Sequence, residues 1–231
     1  MPTTSAPVTH PTLPLEEFAQ PQTEALALPL EALASPLDET QSAVFAEQLP
    51  GAPVFTVHPS PIGELLLTGD GRSLTGLYLL PDHRYGPVIG DDWRFSVDSF
   101  RELAGQLDAY FAGELRDFDV SLAPKGTPFQ LAVWTILTRV PYGHTISYGT
   151  IAAALGRPTA SRAVGMANGH NPISIVVPCH RVIGATGSLT GYGGGLPRKR
   201  ALLDLEDGLR AQHSRTRSTV LPGALAAPLL A

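Results

Sequence analysis

A lone thiol beside an imidazole is the first chemistry this sequence offers. Cys179 is the only cysteine among 231 residues. It follows the apolar run Ile175-Val176-Val177-Pro178 and precedes His180, Arg181 and Val182. A free cysteine is often a small buried hydrophobe. It becomes a nucleophile only as the thiolate, which needs a base or positive charge nearby, and His180 is the candidate base. The β-branched run 175–177, stopped by proline, reads as a buried strand. Consecutive side chains on a strand point to opposite faces, so Cys179 and His180 need a turn after Pro178 or a bridging water to exchange a proton. The imidazole in turn needs an orienting carboxylate. Glu206 and Asp204, on the last expected helix, are the candidates nearest in sequence. Asn171, ahead of Pro172, can hold the intervening turn through backbone hydrogen bonds.

A glycine cluster, Gly191-Tyr192-Gly193-Gly194-Gly195, follows the thiol. Glycine lets a ligand come close to bare backbone N–H groups. The Gly-Lys-Ser/Thr ending of a phosphate loop is absent, so the choice lies between a base-sized pocket and a plain loop. Upstream, Tyr148–Leu155 and Ala160–Gly169 read as short helices joined by Gly156-Arg157-Pro158, with Thr159 capping the second. That is a helix-turn-helix pattern. Its second helix, bearing Arg162, would be the one that reads DNA. Many helix pairs look the same, and Lys199, between Arg198 and Arg200, sits in a run that commonly forms a solvated face.

The positioning elements fall into two groups. In residues 53–122, Val54–Val57, Glu64–Thr68 and Ser73–Leu80 read as short strands separated by Pro-Ile-Gly and Gly-Asp-Gly-Arg turns. Ser99 resembles an N-cap, with Glu102 as its capping-box partner. Phe100, Leu103, Leu107, Tyr110 and Phe111 then form one apolar helix face. His58 and His83 read as isolated turn or surface residues. In residues 125–212, Thr127-Pro128 opens a helix with Phe129, Val133, Ile136 and Leu137 on its buried face and Trp134 in the core. Leu196–Glu206 is the last amphipathic helix. Residues 1–50, with recurrent prolines, read as a disordered leader, and 213–231 as a disordered tail.

The net charge of −5 hides an asymmetry. Residues 1–124 carry 5 basic and 18 acidic side chains, a net of −13, while 125–212 carry 9 and 3, a net of +6. A basic segment in an acidic protein suits a polyanion. One cysteine excludes an internal disulfide, no apolar stretch is long enough to span a membrane, and the first fifty residues hold no Lys or Arg for a signal or transit peptide. A cytoplasmic protein is expected.

The motif residues together resemble the O6-alkylguanine-DNA alkyltransferase family. The likeness covers about 53–210. It is densest in Ser147-Tyr148-Gly149, Arg162-Ala163-Val164-Gly165, Asn171-Pro172, Pro178-Cys179-His180-Arg181-Val182, and Gly191-Tyr192 with Gly194-Gly195-Leu196. The resemblance implies an α+β chain: a small ribonuclease H-like α/β module, then a helix-turn-helix, winged-helix-like alkyltransferase domain. It implies direct, single-turnover transfer of an alkyl group from O6-alkylguanine, and O4-alkylthymine, in double-stranded DNA to Cys179. His180 would activate the thiol through a water, Glu206 would orient His180, and Asn171 would brace the turn. Tyr148 would help rotate the nucleotide out and donate toward the base. Arg162, on the Ala163- and Gly165-bearing helix that the family places in the minor groove, would fill the gap in the stack. Tyr192, Gly193, Gly194, Val182 and Lys199 would line the pocket. A monomer without cofactor is implied. Human-type members carry an N-terminal zinc site with cysteine ligands, and with one cysteine no metal is expected here. At Gly193 some members carry a hydroxyl side chain. A cysteine hydrolase built on Cys179 and His180, or a DNA-binding module without chemistry, are the alternatives. The first gives the basic helix pair no purpose, and the second has no use for Cys179.

Overall fold

The computed structural model describes residues 44–218, apart from 82 and 84. Three antiparallel strands open the first module: β1 (Val54–His58), β2 (Leu65–Gly69) and β3 (Leu74–Leu79). A short parallel strand, β4 (Arg94–Phe95), completes the order β3-β2-β1-β4. β2 is buried along its whole length, and helix α1 (Arg101–Phe111) sends Leu103, Leu107 and Tyr110 into the same core as Leu65 and Leu67. A Cβ at Gly76 would come within 2.3 Å of the Tyr78 ring, so that strand position admits only glycine.

Two helix starts differ from expectation. Ser99 does not cap α1. A 3₁₀ turn, Asp98–Phe100, precedes the helix, and the Ser99 N–H instead donates to the Ser96 hydroxyl at 3.3 Å. Thr159 does not cap α4 (Ser161–Gly169). It lies in the turn after α3 (Tyr148–Ala154), where Ala160 N–H donates to Arg157 O at 2.8 Å. By contrast α2 (Pro128–Leu137) opens on Thr127 with a full capping box: Gln130 N–H donates to Thr127 Oγ1, and Thr127 N–H to Gln130 Oε1. Val133, Trp134, Ile136 and Leu137 are buried, and Phe129 is half-buried beneath the Arg157 guanidinium.

β5 (Ile146–Ser147) pairs in parallel with β6 (Val182–Ile183), and α5 (Leu196–Ser218) closes the chain. It runs past His213, where a tail was expected to begin. The two modules are knitted together. Leu77 N–H on the free edge of β3 donates to Pro172 O at 2.8 Å, and Ser174 N–H returns to Leu77 O at 3.1 Å. Arg198 on α5 donates to Ile62 O and Leu80 O.

The end of the leader also docks. Ala46 N–H donates to Leu122 O, the Gln48 amide to Ala123 O, and Leu49 N–H to the Asp70 carboxylate, while Phe45 packs on the core. Residues 1–43 and 219–231 lie outside the described part. Among the described residues, no helix is long and apolar enough to cross a membrane.

Candidate active site

The run Ile175–Val177 is a turn, not the expected strand, and Cys179–Arg181 forms one 3₁₀ turn. The ladder partner for 172–174 is β3, and that pairing ends at Ser174. Beyond it the backbone reverses through Ile175, a β-branched residue at φ +70°. Such a conformation costs about 1–3 kcal/mol and needs the surroundings to impose it. Asn171 does so: its amide donates to Val177 O at 2.7 Å, and its Oδ1 accepts from Ile173 N–H at 3.1 Å. Asn168, on the buried face of α4, reaches Cys179 O at 3.4 Å.

Cys179 is 3 % exposed and His180 fully buried. Successive residues of a 3₁₀ turn diverge by roughly 120°, and no hydrogen bond joins the two side chains directly. Among the described residues His180 Nδ1 has no hydrogen-bond partner, while Nε2 lies 3.0 Å from Glu206 Oε1. Burial lowers the imidazole pKa and outweighs the raising effect of Glu206, with Arg181 and Lys199 lowering it further. The ring is therefore neutral, and the carboxylate assigns its proton to Nε2. Nδ1 is left as a free base. Burial pushes the Cys179 thiol up, and Asn171 and Lys199 only partly offset that. The thiol therefore needs the base.

Glu206 is a hub. Burial alone would raise its carboxyl, but His180 and Arg181 reverse this and hold it well below the usual carboxylate range. Arg181 donates through Nε and Nη2 at 2.8–3.2 Å and spends Nη1 on Val140 O. Gly143 N–H donates to Oε2 at 3.0 Å, and Tyr110 Oη to Oε1 at 2.8 Å. Asp204, the other candidate, makes no hydrogen bond to the ring. Arg181 and Tyr110 carry no role in the sequence reading. Their signals were a cation next to His180 and a tyrosine on a fully buried helix face, which requires a polar partner.

Lys199 is not on a solvated face. It is fully buried, with Nζ donating to Val182 O and Thr190 O at 2.6 Å each, and burial takes its pKa down to about 8 against the pull of Cys179. It ties the glycine loop to β6, where Val182 is buried. A Cβ on Gly194 would meet Leu79 at 2.9 Å. His83 is also not isolated. It sits edge-on to Tyr78 with Nε2 3.3 Å from Ser174 Oγ, burial holds its pKa down at about 4, and a Cβ on Gly193 would touch its ring at 2.9 Å. His58 pairs with Asp108 at 2.9 Å.

A pocket of about 520 Å³ lies between α4 and the glycine loop. Arg162 and Met166 stand exposed on one wall, Gly191–Gly193 form the other, and Tyr148 closes one end. The Tyr148 ring lies beside Gly165, where a Cβ would meet it at 3.7 Å, an ordinary contact distance. The Tyr148 hydroxyl accepts from Thr190 Oγ1 at 3.2 Å. Tyr148 and Tyr192 are near enough to Cys179 for thiolate charge to add to the burial that raises both phenols. Ala163 is exposed beside Arg162. The lining also includes an unforeseen pair, Tyr85 stacked on His170 at 4.2 Å.

Known proteins resemble the chain along both modules. Residues 54–124 match the family described as 6-O-methylguanine DNA methyltransferase, ribonuclease-like domain, and 128–208 match its DNA binding domain. A methylated-DNA–protein-cysteine methyltransferase of Mycobacterium bovis is 58% identical over 147 residues, 64% of this chain and 88% of that protein. One of Methanosarcina acetivorans is 53% identical over 152 residues, 66% of this chain and 97% of that protein. The crystal structure of Mycobacterium tuberculosis OGT in complex with DNA superposes with a TM-score of 0.63 at 53% identity, covering 68% of this chain and 94% of that one. With both modules matched in order and a relative 58% identical over 88% of its length, the chain belongs to the 6-O-methylguanine DNA methyltransferase family.

Proposed function

We propose that the chain repairs DNA by moving an alkyl group from O6 of guanine, and from O4 of thymine, to Cys179 in one irreversible turnover. The observation that carries this reading is the buried sequence thiol, neutral imidazole, carboxylate, set behind a pocket walled by an exposed Arg-bearing helix. O6 is unreachable inside a paired duplex, so the base must leave the stack, and a damaged pair lowers that cost. Arg162 on α4 fills the space left behind, with Ala163 and Gly165 allowing close approach of the backbone. Tyr148 turns the nucleotide and donates toward the base, and Tyr192, Gly193 and Gly194 frame it.

The thiol proton passes through a water to His180 Nδ1, and Glu206 stabilises the imidazolium without taking the proton. The Cys179 S–C bond forms as the C–O6 bond breaks. The electron pair stays with guanine, which takes up the proton the thiol gave. Lys199 favours the thiolate electrostatically and anchors the loop. The working units are 53–122 and 125–212, acting as a cytoplasmic monomer on double-stranded DNA without cofactor or metal. Incubation with a duplex carrying O6-methylguanine, followed by intact-mass and peptide measurement, should add one methyl to the Cys179 peptide and then stop. Repeated turnover would indicate a hydrolase, and no transfer a binding module.

A further inference from the structure

Tyr110 belongs to the first module, yet its hydroxyl is buried in the active site of the second. The residue is 0 % exposed, and Oη donates to Glu206 Oε1 at 2.8 Å. That is the same oxygen that faces His180 Nε2 at 3.0 Å. A donor on a carboxylate oxygen withdraws charge from it and weakens its hold on any other partner. We propose that Tyr110 is a positioning residue for the transfer, acting through Glu206 to set the basicity of His180 and fix the carboxylate oxygen it addresses. The proposal rests on the reading of His180 as the base.

The geometry leaves little else for the hydroxyl to do. α1 already packs through Leu103, Leu107 and the Tyr110 ring, which meets Phe111, Phe118 and Tyr142 at 5.3–5.9 Å. Phenylalanine would satisfy all of that. The hydroxyl is an added polar atom in a fully buried place, and burying it is tolerable only because it finds an acceptor. Among the described residues, the other charged or titratable groups around the imidazole and carboxylate are Arg181 on the same turn, Lys199 on α5, Cys179, Tyr192 of the glycine loop, and Tyr142 with Arg116 beside its ring. Arg181 fixes the carboxylate plane with its fork, and Gly143 N–H holds Oε2. Beside His180 itself, Tyr110 is the neutral donor on Oε1, so it can moderate that oxygen's charge without adding a cation.

Removing the hydroxyl concentrates negative charge on Oε1 and favours imidazolium, so the His180 pKa rises. A stronger donor lowers it. The test uses the full chain with Tyr110→Phe and with 3-fluorotyrosine placed at 110, whose hydroxyl is more acidic and whose shape is nearly the same. NMR titration of the His180 ring, assigned by comparison with His180→Gln, reads the base directly and does not depend on DNA chemistry. The single-turnover methyl-transfer rate against pH reads its consequence. Tyr110→Phe should raise the His180 midpoint by about half a unit, a roughly threefold change in the protonated-to-neutral ratio at fixed pH. The acid limb of the rate should move with it. The fluorinated variant should move both the other way, and it keeps the test open if Tyr110→Phe folds poorly. Unchanged midpoints, or shifts of the same sign in both variants, would overturn the proposal. If His180 shifts as expected while the rate profile does not follow, Tyr110 sets the imidazole but His180 is not the base.

Discussion

Four residues donate to the Glu206 carboxylate: Tyr110, Gly143, His180 and Arg181. A buried guanidinium is tolerable only while this anion faces it. Removing one partner of a buried pair commonly costs about 3–5 kcal/mol, so Glu206→Gln should lose stability of that order in urea unfolding at pH 7. The transfer rate should fall as well, since an amide can no longer favour imidazolium. The pH dependence has a definite sign. The folded carboxyl is held below its unfolded value. Its contribution is therefore full above the ordinary carboxylate pKa of about 4.3 and fades as pH falls through the folded value. The stabilities of the two proteins should converge in strong acid, and a gap unchanged from pH 7 to pH 3 would show that the pair does not carry it. Burial keeps His180 below the usual imidazole range, which keeps it a base through neutral pH.

At the scale of elements, α4 and the glycine loop face each other across the pocket, and Arg162 stands out from the helix with no role in its packing. Arg162→Ala should leave reaction with free O6-alkylguanine nearly intact and slow repair of a methylated duplex at least tenfold, about 1.4 kcal/mol. Equal losses on the two substrates would make it a structural residue. The helices that carry these groups were legible because their apolar spacing and their Pro and Gly punctuation are local signals. Two of the expected helix starts were misplaced, because Ser99 and Thr159 have capping side chains but the backbone enters each helix through an extra turn. The strand expected at 175–177 failed for a non-local reason. β-branched residues suit a strand, yet the pairing edge of β3 is used up by 172–174, and Asn171 forces the chain to turn. The thiol, imidazole and carboxylate could be named from sequence. Lys199 was assigned to the pocket by resemblance alone, and the partners of Tyr110 and His83 could not be named, since they lie on other elements and no spacing records them.

Across the whole molecule, charge and packing divide the labour. The basic segment 125–212, net +6, carries the proposed DNA surface, while residues 1–124 carry a net of −13. Affinity for undamaged duplex should fall steeply with added salt and vary little with flanking sequence, because phosphate contacts release counterions. A salt-insensitive titration would point to base readout instead. The fold also begins earlier than the leader boundary at residue 50 suggested. A chain starting at 51 lacks the Ala46, Gln48 and Leu49 hydrogen bonds and the Phe45 packing. At about 1 kcal/mol per hydrogen bond, it should melt several degrees below a chain starting at 44. Equal melting temperatures would mean the docked segment contributes nothing.

The knitting of β3 to 172–174 and of Arg198 to Ile62 and Leu80 has a temporal meaning as well as a spatial one. These contacts join residues about a hundred positions apart, and long-range pairings form late because closing so large a loop costs entropy first. On the ribosome the first module emerges and can begin to fold before the thiol exists. The carboxylate arrives later still, on the last helix. Until α5 docks, Cys179 has no Glu206 behind the neighbouring imidazole and no Lys199 beside it. On the mechanism proposed above, the single turnover is thereby not available until α5 has docked.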